Sequence, residues 1–369
     1  MPISDLVRTV DIERSPRVLQ LEGLFEIPPA AKSETRWKVS LPVEDRDWSI
    51  GLIVGPSGSG KSTVARELFG EHIVAGHEWS PTAAVVDGFP KEMSIKEITG
   101  LLSSVGFSSP PAWLRPFAML SNGEQFRVTL ARALAESKGT VAVDEFTSVV
   151  DRTVAQIGSA AVAKAVRRRK TKFVAISCHY DVEKWLDPDW VYEPAVDSFR
   201  WRALQGRPAV DLEIGRVRKQ AWVYFKRHHY LNSTLARGAR CFGAWYQGRL
   251  VAFASVIPFP HAVRPGWREH RTVCLPDFQG VGIGNALSEF VGSIYRSSGK
   301  PYFSTTGNPA MIRHRAHSPL WKMNRKPGRT AAQGRSSSLQ AMRVSSNRFT
   351  AGFEYVGPAR PAEGWGLGF

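Results

Sequence analysis

Apolar and polar positions along this chain of 369 residues predict two successive orders of elements. In the first half, 18–25, 35–41 and 48–54 alternate or run apolar and predict short strands, broken by Pro28-Pro29 and the acidic 44–47 segment. A helix is predicted from Val64, a strand at 83–86, a helix at 94–105, and an alanine-, leucine- and arginine-rich helix from Leu120 through Leu134. Two apolar strands follow, 140–143 ending in Asp144-Glu145 and 172–177 ending in Cys178-His179. The second half predicts a strand at 210–217, a helix at 219–230 and a hairpin of 239–246 with 250–257 turning at Gln247-Gly248. Then come a strand at 271–275, a helix at 285–295, a strand at 301–305, a helical region at 308–321, and strands near 341–344 and 350–356.

Composition sharpens this division. With 43% hydrophobic and 22% charged residues the chain can bury sizeable cores, and its length suggests two domains. Lys and Arg exceed Asp and Glu by 49 to 33, giving a net charge of +16. Residues 1–205 are balanced, 25 cationic against 26 acidic, which leaves 24 against 7 for 206–369. The join is expected at 197–208, and an anionic partner is expected for the second domain. No apolar run approaches the roughly 18 residues a membrane-spanning helix needs, and residues 1–8 lack a signal-peptide pattern, so a cytoplasmic location without membrane is expected. Cys178, Cys241 and Cys274 form no paired motif, which speaks against a disulfide framework or zinc ribbon and for buried thiols.

Between the strand at 48–54 and the helix from Val64 lies Gly55-Pro56-Ser57-Gly58-Ser59-Gly60-Lys61-Ser62-Thr63. Glycines here let successive N–H groups face phosphate oxygens, Lys61 can reach the β- and γ-phosphates, and Ser62 can hold Mg²⁺. Phe25 or Trp37 can stack on an adenine ring from the preceding strands. The cations 167–170 close a helix, where they complement its dipole.

Together with Ser121-Asn122-Gly123-Glu124-Gln125, Asp144-Glu145 and His179, this loop resembles the ABC-type ATPase family over roughly 18–200. The resemblance implies ATP and Mg²⁺ as ligands. Gly55, Ser57, Gly58, Gly60, Lys61, Ser62 and Thr63 would bind phosphate, Ser62 and Asp144 the metal, Glu145 the attacking water, and His179 would sense the γ-phosphate. Ser121 and Gly123 would cap the nucleotide of a second copy, implying a homodimer, with Asp151 between the two sites. Asn122 replaces the usual glycine, a form also met in SMC-like ATPases through Glu124, and Asp87 stands where a metal-linking glutamine is expected. Only 58 residues separate Lys61 from Leu120, so the helical subdomain that grips a membrane partner is abbreviated.

In the second half, Gln279-Gly280-Val281-Gly282-Ile283-Gly284 between strand and helix resembles the pyrophosphate loop of the GNAT acyltransferases, over roughly 207–358. The fold implied is α/β: a P-loop ABC-type domain (1–204) and a mixed-sheet GNAT-like domain (205–369). That resemblance implies acetyl-CoA or a related acyl-CoA held by Gln279, Gly280, Gly282 and Gly284. Acid and base candidates are Glu269, His270, Tyr302, Ser304, His314 and His317, with Glu269 placed first; the tyrosine many members carry has no match in 311–321. His228-His229-Tyr230-Leu231 and the hairpin look like the Mom DNA-modification branch, which with the basic surplus implies a nucleic-acid partner and a base amine as acceptor. The stretch 328–338, with Arg329 and Arg335, is a candidate arm on nucleic acid. The tRNA cytidine acetyltransferase also joins an ATPase to a GNAT domain, a parallel of architecture alone. Two rival readings stand beside this one: an acyltransferase on a small-molecule or protein amine, and a nucleotide-switched nucleic-acid-binding module with an inactive GNAT fold.

Overall fold

The computed structural model describes residues 4–74, 76–137, 139–202, 210–229, 234–329, 349–361 and 365. Tyr230 and Leu231, the 330–338 part of the candidate arm, and the strand expected at 341–344 lie outside them. By contacts the chain forms two compact units, Met1–Ala75 with Ser137–Ser148 and Val166–Arg207, and Gly76–Glu136 with Val149–Ala165 and Pro208–Phe369. This division differs from a single cut at 204/205, because the helical segments 76–136 and 149–165 share a compact unit with the C-terminal sheet.

The first unit contains β1 (Ser4–Asp11), α1 (Pro16–Phe25), β2 (Lys32–Val39), β3 (Ile50–Val54), α2 (Lys61–Phe69), β4 (Thr140–Val143), β5 (Lys172–Ser177), α7 (Asp181–Leu186), β6 (Trp190–Glu193) and β7 (Ser198–Trp201). β1 and β2 form an antiparallel pair. The main sheet runs β4-β5-β3-β6-β7 and is parallel except for β7. Every residue of β3 is buried, as a central parallel strand covered on both faces requires. Trp190 fills the space above Gly51, where a Cβ would collide with its indole, and packs against Trp48 and Phe69.

The second unit contains α3 (Ile95–Ser104), α4 (Pro110–Trp113), α5 (Asn122–Glu136), β8 (Glu213–Arg216), α8 (Trp222–Phe225), β9 (Arg240–Tyr246), β10 (Arg249–Phe259), β11 (Gly266–Cys274), α9 (Ile283–Arg296), β12 (Tyr302–Thr306), α10 (Pro309–His317), β13 (Trp321–Arg329) and β14 (Phe349–Tyr355). α6 (Arg152–Arg169) carries the chain from this unit to the first. The sheet order is β13-β14-β12-β11-β10-β9-β8, with β11 and β12 parallel and the other pairs antiparallel. α9 lays Leu287, Val291, Ile294 and Tyr295 on it, all fully buried. Each such side chain contributes about 1.5–3 kcal/mol.

Three expected elements differ. Segment 18–25 is helix α1, not a strand, because Ser15 caps it by accepting from the Val18 N–H and Pro16 presets its first turn. Segment 83–86 becomes a 3-10 turn, Val85–Gly88, closed by Asp87 N–H to the Ala84 carbonyl. The helix at 219–230 is one turn of α-helix between two 3-10 turns, and among its described residues only Trp222 and Phe225, three apart, are buried.

Candidate functional site

In the first unit, the strand order places β5 between β3 and β4, so three adjacent parallel strands end on one edge. Their ends carry the 55–63 loop, Cys178-His179 and Asp144-Glu145. Ligands of open parallel sheets bind at such carboxyl ends. Gly58 (φ 80°) and Gly60 (φ 87°) take left-handed conformations, and a Cβ at Gly58 would meet nothing, so that face of the loop is open. Gly60 caps α2, which places Lys61, Ser62 and Thr63 in its first turn; the Lys61 ammonium donates to the Pro56 carbonyl at 2.7 Å. Gly55 is tight against Ser59, and Ser57 is exposed at the tip. The Trp37 indole lies against Gly60, whereas Phe25 is 68% exposed at the end of α1.

Asp144 follows β4 and accepts from the Glu145 N–H at 2.9 Å. Glu145 (φ 51°) and Thr147 (φ 69°) are both left-handed without being glycine, a conformation that costs about 1–3 kcal/mol each and clusters at functional sites. Glu145 is exposed and Thr147 buried. The His179 N–H donates to Ser177 Oγ (3.1 Å), whose hydroxyl donates to the Phe146 carbonyl (3.0 Å), tying the histidine's loop to the acidic pair. Buried Ser177 was not singled out from sequence; a serine ending an apolar strand carries no signal of its partner.

Ser121, Gly123, Asp151 and Asp87 belong to the second unit. Ser121 and Glu124 form a capping box on α5: Glu124 accepts from the Ser121 N–H (2.9 Å) and hydroxyl (3.1 Å), and the Glu124 N–H donates to Ser121 Oγ (3.4 Å). The signature stretch is therefore also a helix start. Asp151 caps α6 by accepting from the Thr153 and Val154 N–H groups. Asp87 is exposed on the Val85–Gly88 turn.

In the C-terminal sheet, β11 and β12 pair at only two positions, Trp267 with Tyr302 and Arg268 with Phe303. Just beyond, the register between β10 and β11 shifts, because Ser255 faces Arg271 and Val256 faces Glu269, making His270 an extra residue. Past Arg268 the two strands no longer pair, so the bulge lies at the mouth of a V between β11 and β12. After β11, Gly280 (φ 93°) and Gly282 (φ 103°) turn the chain into α9, with Gly282 as its cap and no side chain on the first-turn amides. A Cβ at Gly282 would meet nothing and one at Gly284 only Cys274 at 3.8 Å, so this helix start is open. Gln279 faces inward, its Oε1 accepting from the Ser108 N–H at 2.6 Å and its Nε2 donating to the Cys274 carbonyl at 2.8 Å.

Behind the V lies a buried polar centre. Glu269, on β11, receives hydrogen bonds from Thr272 (2.6 Å), Ser288 (2.7 Å) and Ser304, and pairs with Arg315 of α10 at 3.0 Å. Burial pushes this carboxyl up, but Arg315 and the three hydroxyls outweigh it and hold the group below the usual glutamate range. Arg315 is fully buried, donates also to Ser288 and Ser304, and stacks on Trp321 at 4.2 Å. Chemically this centre anchors β11, β12, α9 and α10 to one another, and every oxygen of Glu269 is engaged. Arg315, Ser288 and Thr272 were not foreseen, because an arginine in a basic helix gives no sign of being buried.

The remaining candidates are dispersed. His270 is brought down to about 4 by burial and by Arg271 and Arg268, and its Nε2 accepts from the Ala236 N–H. The Tyr302 hydroxyl is buried near Glu269 with no hydrogen-bond partner among the described residues. His314 pairs with Glu289 at 2.7 Å, and His317 with the Arg313 carbonyl. Among the described residues no cluster of three or more His, Cys, Asp or Glu is placed to hold a metal. Cys241 is buried, whereas Cys178 is exposed, contrary to a uniformly buried set.

Comparison with known proteins matches each half separately. The profile of the "Acetyltransferase (GNAT) family" matches residues 201–313. The zinc import ATP-binding protein ZnuC of Cereibacter sphaeroides is 34% identical over 160 residues, 37% of this chain and 63% of ZnuC. The ribosome protection protein VmlR of Bacillus subtilis is 27% identical over 118 residues, 27% of this chain and 21% of VmlR. The chain thus spans less than two thirds of the length of these curated relatives. Among solved structures, the dimeric post-hydrolysis ATP-binding cassette MJ0796, bound to ADP and Pi, aligns with 55% of this chain and 99% of its own at 14% identity and a TM-score of 0.40. Among the described residues no helix is long and apolar enough to cross a membrane. One polypeptide therefore joins an N-terminal, ABC-ATPase-like domain to a mixed-sheet domain whose residues 201–313 match the GNAT acetyltransferase family.

Proposed function

We propose that the chain hydrolyses ATP at the β3-β5-β4 edge and transfers an acyl group from acyl-CoA to an amine of a nucleic acid. The observation that carries this is the pair of open glycine-bearing loops, each at the start of a helix whose first-turn amides have no side-chain cap. At the first, Gly58, Gly60, Lys61 and Thr63 suit a triphosphate, and Ser62 and Asp144, of the same unit, offer the hard oxygen donors that Mg²⁺ takes. Glu145 is exposed and free to orient water, with His179 on the neighbouring strand end. Two copies would pair through Ser121 and Gly123.

At the second loop, Gly282 and Gly284 leave the α9 amides accessible to a pyrophosphate. Acyl-CoA supplies a thioester: the amine nitrogen bonds to the acyl carbon, the C–S bond breaks, and the proton the nitrogen loses ends on the departing thiolate, which leaves as free CoA. The chain's part is to bind, to present N–H groups of β11 where negative charge develops on the carbonyl oxygen, and to keep the V rigid. Glu269 serves that last task with Arg315, since its oxygens are already occupied. For the acceptor, the basic surplus of 206–369 supports nucleic acid, as does the exposed run of Arg218, Lys219, Lys226 and Arg227 around Tyr224, which is 68% exposed.

Mass spectrometry of nucleosides from DNA and RNA incubated with the protein, ATP and labelled acetyl-CoA tests the reading. A labelled base is the expected product. Label appearing only on protein or small amines, with no salt-dependent binding of nucleic acid, would instead support the rival acceptors.

A further inference from the structure

Arg127 belongs to neither loop, yet it joins the helix that begins at the signature to the strand end that feeds the 279–284 loop. It lies one turn into α5, which starts beside Ser121 and Gly123, and is fully buried. Its guanidinium donates to the Pro276 carbonyl and, at 2.6 Å, to the Asp277 carbonyl, about 150 positions later in the chain. Around this link the packing is close enough to exclude slippage. A Cβ on Gly280 would stand 2.6 Å from Gly106 Cα and 2.8 Å from Ala161, and one on Gly123 would stand 3.1 Å from Asp277 Oδ1. The Ser108 N–H holds Gln279, and Asn308 Nδ2, at the start of α10, reaches the Ser108 carbonyl at 3.4 Å.

Two helix starts are thereby fixed into one solid, that of α5 at the signature and that of α9 at the open loop. A buried guanidinium cannot leave two carbonyls without becoming an unsatisfied charge, so any tilt of α5 displaces 276–279 with it. Ligands that bias one two-state element are coupled, and reciprocally so.

We propose that Arg127 is a positioning residue that couples the two sites: engagement of the α5 start by a nucleoside triphosphate bound to a second copy of the chain changes the acyl-CoA affinity of the 279–284 loop. The proposal rests on the function proposed above. It is tested by calorimetric titration of acetyl-CoA into the full-length protein with and without saturating Mg²⁺ and a non-hydrolysable ATP analogue. The wild type is expected to show a shift in acetyl-CoA Kd of about fivefold or more, matched by an equal shift in analogue affinity when acetyl-CoA is saturating. In Arg127→Met both ligands still bind and the shift falls below twofold, while Arg127→Lys, which keeps the charge but not the planar fork, retains an intermediate shift. Ser121→Arg, which obstructs the α5 start, also abolishes the shift while leaving acetyl-CoA affinity alone. Should Arg127→Met not fold, the Lys and Ser121 variants decide.

A wild type that binds both ligands without a shift, or a shift that survives in the Arg127 and Ser121 variants, overturns the coupling and leaves the function standing. Failure of the wild type to bind acetyl-CoA or the analogue removes the function itself, and the coupling with it.

Discussion

The two glycine-bearing loops use the same backbone device with different support. The 55–63 loop follows a central strand with parallel neighbours on both sides, carries its own cation in Lys61, and ends in a helix of its own unit. The 279–284 loop follows a strand that loses its β12 partner after Arg268, carries no cation, and is supported from outside by Ser108, which holds its Gln279, and by Arg127. A loop that carries its own lysine is self-contained. One that relies on amides alone needs a rigid mounting, and here the mounting is distant in sequence.

Experiments that break this contrast can be ranked by size. Lys61→Ala or Glu145→Gln should lower ATP turnover on the order of 10³-fold, read by phosphate release, with Glu145→Gln still binding nucleotide. Retained hydrolysis in both would remove the assigned site. Next, Arg315→Met leaves Glu269 an unpaired buried charge and should destabilise the second unit by about 3–5 kcal/mol in denaturant titration. Adding Glu269→Gln should restore part of that, and an additive double mutant would deny the pairing its role.

Smaller, and aimed at the loop itself, Gly282→Val forces a side chain into φ 103° at the helix cap and should weaken acetyl-CoA binding on the order of 100-fold with ATP turnover unchanged. Gly284→Ala, whose Cβ would have only an ordinary contact, should stay within about threefold. Equal effects of the two would deny that the first turn of α9 is the binding face.

The smallest effects are in pH dependence. Glu269 is held below the ordinary glutamate value of 4.5, so folding favours its charged form; its contribution is complete above that value and fades as pH falls below it. His270, brought from 6.5 to about 4, is likewise favoured in its deprotonated form, so its contribution is present above 6.5 and fades as pH falls towards 4. Melting temperature against pH should flatten between 6.5 and 4 in His270→Gln and below 4.5 in Glu269→Gln. An unchanged profile in either would remove that group from the account.

Much of this architecture was legible because its signals are local. The 55–63 loop, the strand ends carrying Asp144-Glu145 and His179, and the Gln247-Gly248 turn each rest on a few contiguous residues whose chemistry has one economical arrangement; Gln247 (φ 50°) and Gly248 (φ 76°) take the conformation such a hairpin demands. Missed elements failed for equally local reasons. The spacing in 18–25 serves a helix as well as a strand, and the Ser15-Pro16 start was the deciding signal.

By itself, then, the amino-acid sequence determined the two glycine-bearing loops and the strand-end carboxylates, because such features need specific residues at fixed short spacings. Tertiary structure alone decided that helical segments 76–136 and 149–165 share a compact unit with the C-terminal sheet, that Arg315 is buried against Glu269, and that Arg127 reaches the carbonyls before the second loop. Those choices are made by packing between segments far apart in the chain. An arginine's spelling is the same whether its guanidinium meets water or two carbonyls.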